Sequence, residues 1–280
     1  MAINNYSPKE TVKQHWENEV CGTRYGANYS NRKIYFQEIL DQRYNMESYI
    51  LDFAQFNEWE GKKVLEIGLG SGTDFYKWIM GGAIATGIDF TKSSVKLTKE
   101  RLEVNGIRPE IYSLSIADAE MLPFSNNKFD LVYSYGVLHH TPDTFLAFSE
   151  AFRVLKPMGV FKAMIYHVPS WTGWLLWIQH ALLKGEIGLS VKDVIFNNLE
   201  SPGTKAFTCN EAKDLLQSTG FNDIGLTIKL SPGDLLNIKP SKKYQSIFYK
   251  LLWRFYPRWM VRIFGDCYGF TLLISAKKPG

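Results

Sequence analysis

Glu66 interrupts the short apolar run of Val64, Leu65 and Ile67, and Gly68, Gly70 and Gly72 continue its alternation directly behind that run. Glycine at alternate positions lets a backbone turn tightly and come close to a bound molecule, with no Cβ in the way. The spacing differs from the G-x-G-x-x-G that seats a pyrophosphate on a helix N-terminus. A carboxylate two residues before the first glycine repels a pyrophosphate but suits a ligand carrying an ammonium group. Asp89 ends a second apolar run, Ala83 to Asp89. An acid about 20 residues beyond such glycines is placed to grip a pair of ribose hydroxyls. Asp118 follows a third run and, taken alone, reads equally well as an Asx-turn acid at a strand end. His139 and His140 follow a fourth run, Phe129 to Tyr135, at the carboxyl end of a strand, where open α/β sheets bind their ligands. Adjacent side chains do not both point inward, so at most one acts as a base, and His140 is preferred. The competing reading is a histidine that caps or packs the next helix. His15, His167 and His180 have no partner that the sequence identifies.

These residues are carried by alternating strands and helices from Lys63 onward, the signature of a parallel sheet covered on both faces. Phe75, Trp78 and Ile79 recur at helical spacing. Thr91 caps a helix running through Asn105, and Gly106 ends it. Arg108 to Leu114 reads as the third strand. Thr141 as N-cap, Pro142 at the first helical position and Asp143 in the first turn start a helix that continues through Leu155. Val160 to His167 is expected as the fifth strand, Cys209 to Thr219 as a helix closed by Gly220, and Phe221 to Leu230 as the sixth strand. Tyr268 to Ala276 is the last. Ahead of the sheet, Pro8 to Val20 and Arg32 to Phe56 read as two helices, joined by the glycine- and tyrosine-rich stretch Cys21 to Tyr29.

Together these motifs resemble the class I S-adenosylmethionine-dependent methyltransferases. The block Gly136 to Asp143 resembles the motif that small-molecule methyltransferases of the ubiquinone and menaquinone type carry after the fourth strand. Lys156 to Gly159 stands where that family has Lys-Pro-Gly-Gly, with Met158 replacing a glycine. The resemblance implies an α/β, Rossmann-like, seven-stranded and mostly parallel sheet with helices on both faces and an antiparallel last strand. It implies an N-terminal helical lid (1–60), a cofactor-binding core (61–167, continued at 207–230 and closed by a last strand at 266–280) and two insertions (168–206 and 231–265) that cap the substrate. The cofactor implied is S-adenosyl-L-methionine, leaving as S-adenosyl-L-homocysteine, with no metal. Glu66, Gly68, Gly70, Gly72, Thr73, Asp89, Phe90, Asp118, Ala119 and Tyr135 would surround it, with Asp118 accepting a hydrogen bond from the adenine amine. Tyr25 or Tyr29 would reach in from the lid; the alternative is a helical pair packed on the flank of the sheet. A sulfonium already activates its methyl group, so the protein has to align an in-line displacement and exclude water.

The sequence is much less informative about the acceptor. A net charge of +4 over 280 residues is too mild to indicate a nucleic-acid binder by itself. Cys21, Cys209 and Cys267 are scattered, without metal or disulfide spacing. A polar start and the lack of a membrane-length apolar run make a cytoplasmic location the expectation. The first insertion carries Trp171, Trp174 and Trp177. The second carries Lys242, Lys243, Lys250, Arg254, Arg258 and Arg262 among Leu251, Leu252, Trp253, Phe255 and Trp259. Such interleaving fits a half-buried or membrane-facing helix over 242–264 better than a row of phosphate contacts. The expected acceptor is a small hydrophobic or aromatic molecule, with no nucleic acid as partner. The alternatives are methylation of a modified wobble base in tRNA and, outside enzymes, a ligand-binding scaffold without turnover.

Overall fold

The computed structural model describes residues 7–27, 29–201, 203–238 and 253–280. Among the described residues eight strands form one sheet: β1 (Lys63–Ile67), β2 (Ile84–Asp89), β3 (Tyr112–Ile116), β4 (Phe129–Tyr135), β5 (Leu155–His167), β6 (Ala206–Phe207), β7 (Asn222–Lys229) and β8 (Thr271–Lys277). Their order is β3-β2-β1-β4-β5-β8-β7, with β6 attached to β5. β1 to β6 pair in parallel, and β8 lies antiparallel between β5 and β7. The expected Rossmann-like class is the one observed. The strand beyond the expected seven is a two-residue pairing of Ala206 and Phe207 with Tyr166 and His167, too short to leave a pattern in the sequence.

Alternation along β1 builds the core. Leu65 and Ile67 pack on one face with Val132, Phe148 and Phe161, under the helix Thr144–Val154. Val64 packs on the other with Phe75, Trp78 and Leu102, under the helices Thr73–Met80 and Lys92–Val104. A strand buried on both faces has to be apolar at nearly every position, so Glu66 within it is conspicuous.

Several boundaries differ from expectation; the last strand, for one, starts at Thr271, because Tyr268 closes a 3-10 turn, Gly265–Tyr268. Arg32 to Phe56 is broken into α-helices Arg32–Met46 and Tyr49–Ala54. The break falls where Glu47 turns its carboxylate to the hydroxyls of Tyr49 and Tyr135. The third strand starts at Tyr112, since Pro109, which has no N–H for a ladder, opens a short 3-10 turn (Pro109–Ile111). The helix after β4 is capped by Asp143 instead of Thr141; its carboxylate accepts the N–H of Leu146. Thr141 instead donates its hydroxyl to the carbonyl of Leu138, closing the 3-10 turn Leu138–His140. The fifth strand begins at Leu155, ahead of Val160, because Leu155 pairs with Phe129 across an irregular register.

The N-terminal part lies over the carboxyl ends of the strands. Helix α1 (Pro8–Asn18) has no fully buried residue. Polar contacts hold it: the carboxylate of Glu17 accepts the N–H groups of Lys92 and Ser93, and Lys9 pairs with Asp118 and Glu120. The helix Arg32–Met46 is rooted much more deeply. Arg43 grips Asp74 with two hydrogen bonds of 2.6 and 2.8 Å. Lys242, Lys243, Lys250, Leu251 and Leu252 lie outside the described residues.

Candidate functional site

Gly68, Gly70 and Gly72 adopt φ of +86°, +50° and +71°. The left-handed region disfavours any residue with a Cβ. At Gly68 an added Cβ would lie 2.1 Å from Cγ2 of Val137, and at Gly72 2.7 Å from Oγ1 of Thr98. The loop therefore requires glycine twice over at these positions. Asp89 fastens it. One carboxylate oxygen accepts the N–H groups of Leu69 (2.9 Å) and Gly70 (3.3 Å). The other accepts the N–H and the hydroxyl of Thr91, at 2.9 and 2.7 Å. Burial pushes the Asp89 carboxyl up, and these four donors offset it only in part.

Beneath the loop Glu66 is 3% exposed, and its Oε2 has no hydrogen-bond partner. Burial, reinforced by the negative charge of Asp74, raises its carboxyl well above the usual carboxylate range; Arg43 and the nearby Trp78 indole, whose N–H is not aligned for a proper hydrogen bond, offset this only in part. Asp74 goes the other way. Burial pushes it up, but Arg43 and the hydroxyls of Tyr133 and Tyr44 (both 2.9 Å) more than compensate. Thr73 turns its hydroxyl inward, to Nη2 of Arg101 (3.0 Å) and to Ser71 (3.1 Å). Arg101, held also by the carbonyls of Ser71 and Phe36, is brought down to about 10 by burial. Tyr135 donates its hydroxyl to Glu47 at 2.9 Å, beneath the guanidinium of Arg43.

The other candidates face the N-terminal segment. Asp118 is paired with Lys9 at 2.6 Å, and Lys13 stands over the ring of Phe90 at 5.1 Å. Ala119 is buried in the core cluster beside the histidine turn. Cys21 lies 3.4 Å from the place of a Cβ on Gly70, so the segment after α1 runs across the glycine loop itself. Tyr25, in the 3-10 turn Thr23–Tyr25, packs against Tyr35, Phe36 and Ile39.

Contrary to expectation both histidines are buried, their rings 4.2 Å apart, because a 3-10 turn does not alternate side chains as a strand does; their surroundings still differ. His139 is fully buried against Tyr166, with a ring separation of 4.0 Å, and neither nitrogen has a partner. Burial, with His140 next to it, pushes it well below the ordinary histidine value, so it is neutral. His140 has Ser201 Oγ and Thr204 Oγ1 each 3.0 Å from Nδ1. Its Nε2 is 3.4 Å from Oε2 of Glu200, close enough for a charge contact though not aligned as a hydrogen bond. The same Glu200 oxygen accepts the hydroxyl of Tyr166 at 2.7 Å. The Glu200 side chain is 32% exposed; the desolvation it does suffer would raise its carboxyl, yet His140, Tyr166 and Arg24 hold it below its ordinary value. Trp16 of α1 covers His140, with ring centroids 5.2 Å apart. Glu200, Ser201, Thr204 and Tyr166 were not legible as site residues: they reach His140 from another strand and from the first insertion, and no spacing links them. Among the described residues no group of three or more His, Cys, Asp or Glu is placed to hold a metal ion.

Residues 65–163 match the family described as a methyltransferase domain. The C-methyltransferase UbiE of ubiquinone and menaquinone biosynthesis from Bartonella bacilliformis is 36% identical over 107 residues, covering 37% of this chain and 41% of the relative. Erythromycin 3''-O-methyltransferase from Saccharopolyspora erythraea is 36% identical over 104 residues, covering 36% of this chain and 33% of the relative. The match thus spans less than half of either relative. A Haemonchus contortus phosphoethanolamine N-methyltransferase, solved with S-adenosyl-L-methionine, shares the fold with a TM-score of 0.58 at 19% identity, over 99% of this chain and 59% of that one.

Proposed function

We propose that this chain, whose residues 65–163 match a methyltransferase domain, is a class I S-adenosylmethionine-dependent methyltransferase that transfers a methyl group to a small, apolar or aromatic acceptor. The observation that carries this reading is the buried, unpartnered oxygen of Glu66 under a loop that only glycine can form. A cofactor with an ammonium group satisfies that oxygen, and the loop lets it approach. Gly68, Gly70 and Gly72 would line its methionine end, Asp89 would share its carboxylate with the ribose, and Phe90, Asp118 and Ala119 would border the adenine. Lys9 has to release Asp118 for this, so α1 acts as a lid that opens and closes. When bound, the cofactor supplies a methyl group already activated for displacement. Tyr25 and the stretch around it exclude water from that displacement.

An apolar acceptor is supported by the two insertions. Aromatic side chains of the two meet where Trp171 and Phe264 lie 5.8 Å apart, and Tyr268, just past the second insertion, adds a ring 5.1 Å from Trp174. Phe255, Trp259, Ile263 and Phe264 are exposed beside the exposed Arg254 and Arg262. That combination suits the surface of an anionic membrane, from which an apolar acceptor could be drawn. No helix among the described residues is long and apolar enough to cross a membrane. Incubation with tritium-methyl cofactor and cell extract tests the proposal. Label should enter an organic-soluble product and stay out of RNA; strong labelling of tRNA would replace this reading by the wobble-base one.

A further inference from the structure

Helix α1 spans the site from its adenine edge to the histidine turn. Near its start, Nζ of Lys9 lies 2.6 Å from one oxygen of Asp118 and 2.6 Å from one of Glu120. The other Asp118 oxygen accepts the N–H of Glu120 at 2.9 Å, and the other Glu120 oxygen accepts that of Asp143 at 2.7 Å. All four carboxylate oxygens are thus engaged within the chain. One turn further on, Lys13 stands over the ring of Phe90. Trp16, about 10 Å along the helix from Lys9, lies on His140. Two of the residues proposed to border the adenine, Asp118 and Phe90, are therefore ones that α1 itself holds.

We propose that Lys9 is an autoinhibitory gate on the cofactor site: in the empty chain it occupies the acid that would take the adenine amine, and cofactor enters as this contact opens. The proposal rests on the cofactor reading above.

The charges decide how far the contact yields. The Glu120 side chain is 6% exposed and that of Asp118 21%. Without Lys9 the two carboxylates would stand side by side uncompensated, which burial makes costly. An adenine amine brings a hydrogen-bond donor and no charge. It replaces Lys9 at Asp118 and cannot replace it at Glu120. Lys9 therefore gives up Asp118 to the incoming ring and keeps Glu120, so that α1 pivots on that pair and closes again over the bound cofactor. The rest of the helix permits the movement. None of its residues is fully buried, and Glu17 holds its far end only through the N–H groups of Lys92 and Ser93 and the Ser93 hydroxyl.

The test is the rate at which S-adenosylhomocysteine associates with the full chain, followed by stopped-flow tryptophan fluorescence at low and high salt, with Trp16 as the reporter on α1. Lys9→Met keeps the apolar stem and loses the charge. It should associate about 2- to 5-fold faster than wild type at low salt, the span that partly exposed ion pairs set. Salt should speed the wild type toward the variant and leave the variant unchanged. Screening weakens the ion pair, while the ligand, with one ammonium and one carboxylate, has no net charge to steer. Lys13→Met loosens the same helix without freeing Asp118 and should keep the wild-type response to salt. Association no faster in Lys9→Met, a wild-type rate indifferent to salt, or a Lys13→Met rate that has lost its salt response would each overturn the gate. A wild-type chain that binds no S-adenosylhomocysteine would instead remove the cofactor reading on which the gate rests.

Discussion

Glu66 is the residue whose surroundings most call for a ligand. Burial and Asp74 raise its carboxyl well above the usual range, so the native state favours its protonated form. Any stability it lends is present below the ordinary carboxylate pKa of about 4.3 and is lost as pH rises through the raised native value. A bound ammonium favours the ionised form and pulls that value back down. Between the two values, binding therefore releases a proton. Calorimetric binding enthalpies in buffers of different ionisation enthalpy should differ accordingly; equal enthalpies across that window would separate Glu66 from the ammonium. Met158 makes the opposite case, a residue at odds with its backbone. It holds φ of +62° where the family it resembles has glycine, with its side chain largely exposed. Met158→Gly should stabilise the fold by roughly 0.5–1 kcal/mol, the left-handed cost removed less the extra entropy glycine loses. An unchanged or lower midpoint in urea would show that Met158 gains something from its packing on Gly280. At this scale the glycines and the acids at strand ends were legible because local spacing places them. Glu200 was not, since its partners come from 34 and 60 residues away.

Among the elements, the contrast between α1 and the helix Arg32–Met46 decides which part moves. The second is locked by Arg43 to a buried Asp74 that takes two further hydroxyl donors. The first rests on contacts such as Lys9 with Asp118, in which the lysine side chain is 37% exposed. Pairs of that kind contribute about 0.2–1 kcal/mol. Amides of residues 8–18 should exchange much faster than those of 35–45, and Lys9→Ala should quicken the former while leaving the melting temperature nearly unchanged. S-adenosylhomocysteine should slow exchange there and across 21–29. Exchange in α1 as slow as in the rooted helix would favour a fixed flank over a lid. The helices and the sheet were legible from periodicity and caps. The breaks were less so, because they depend on tertiary partners. Glu47 ends a helix to reach Tyr135 of β4, and Asp143 wins the cap once Thr141 has closed the histidine turn.

Over the whole molecule, the alternation of strands and helices announced the parallel sheet, while the meeting of the two insertions through Trp171 and Phe264 follows only from the fold. Their exposed apolar and basic residues should bind anionic vesicles better than neutral ones, and Trp259→Ser with Ile263→Ser should abolish the difference. Equal, weak binding to both vesicle types would assign this surface to something other than a membrane. All of this hangs on one claim, that the loop between β1 and the helix Thr73–Met80 holds S-adenosylmethionine. Calorimetric titration of S-adenosylhomocysteine into wild-type protein and into Asp89→Ala tests it most directly. One site per chain is expected in the wild type, weakened by roughly 1–3 kcal/mol when Asp89 no longer ties the loop and the ribose together. A well-folded wild-type protein that takes up no S-adenosylhomocysteine, or an Asp89→Ala protein that binds it unchanged, would contradict it.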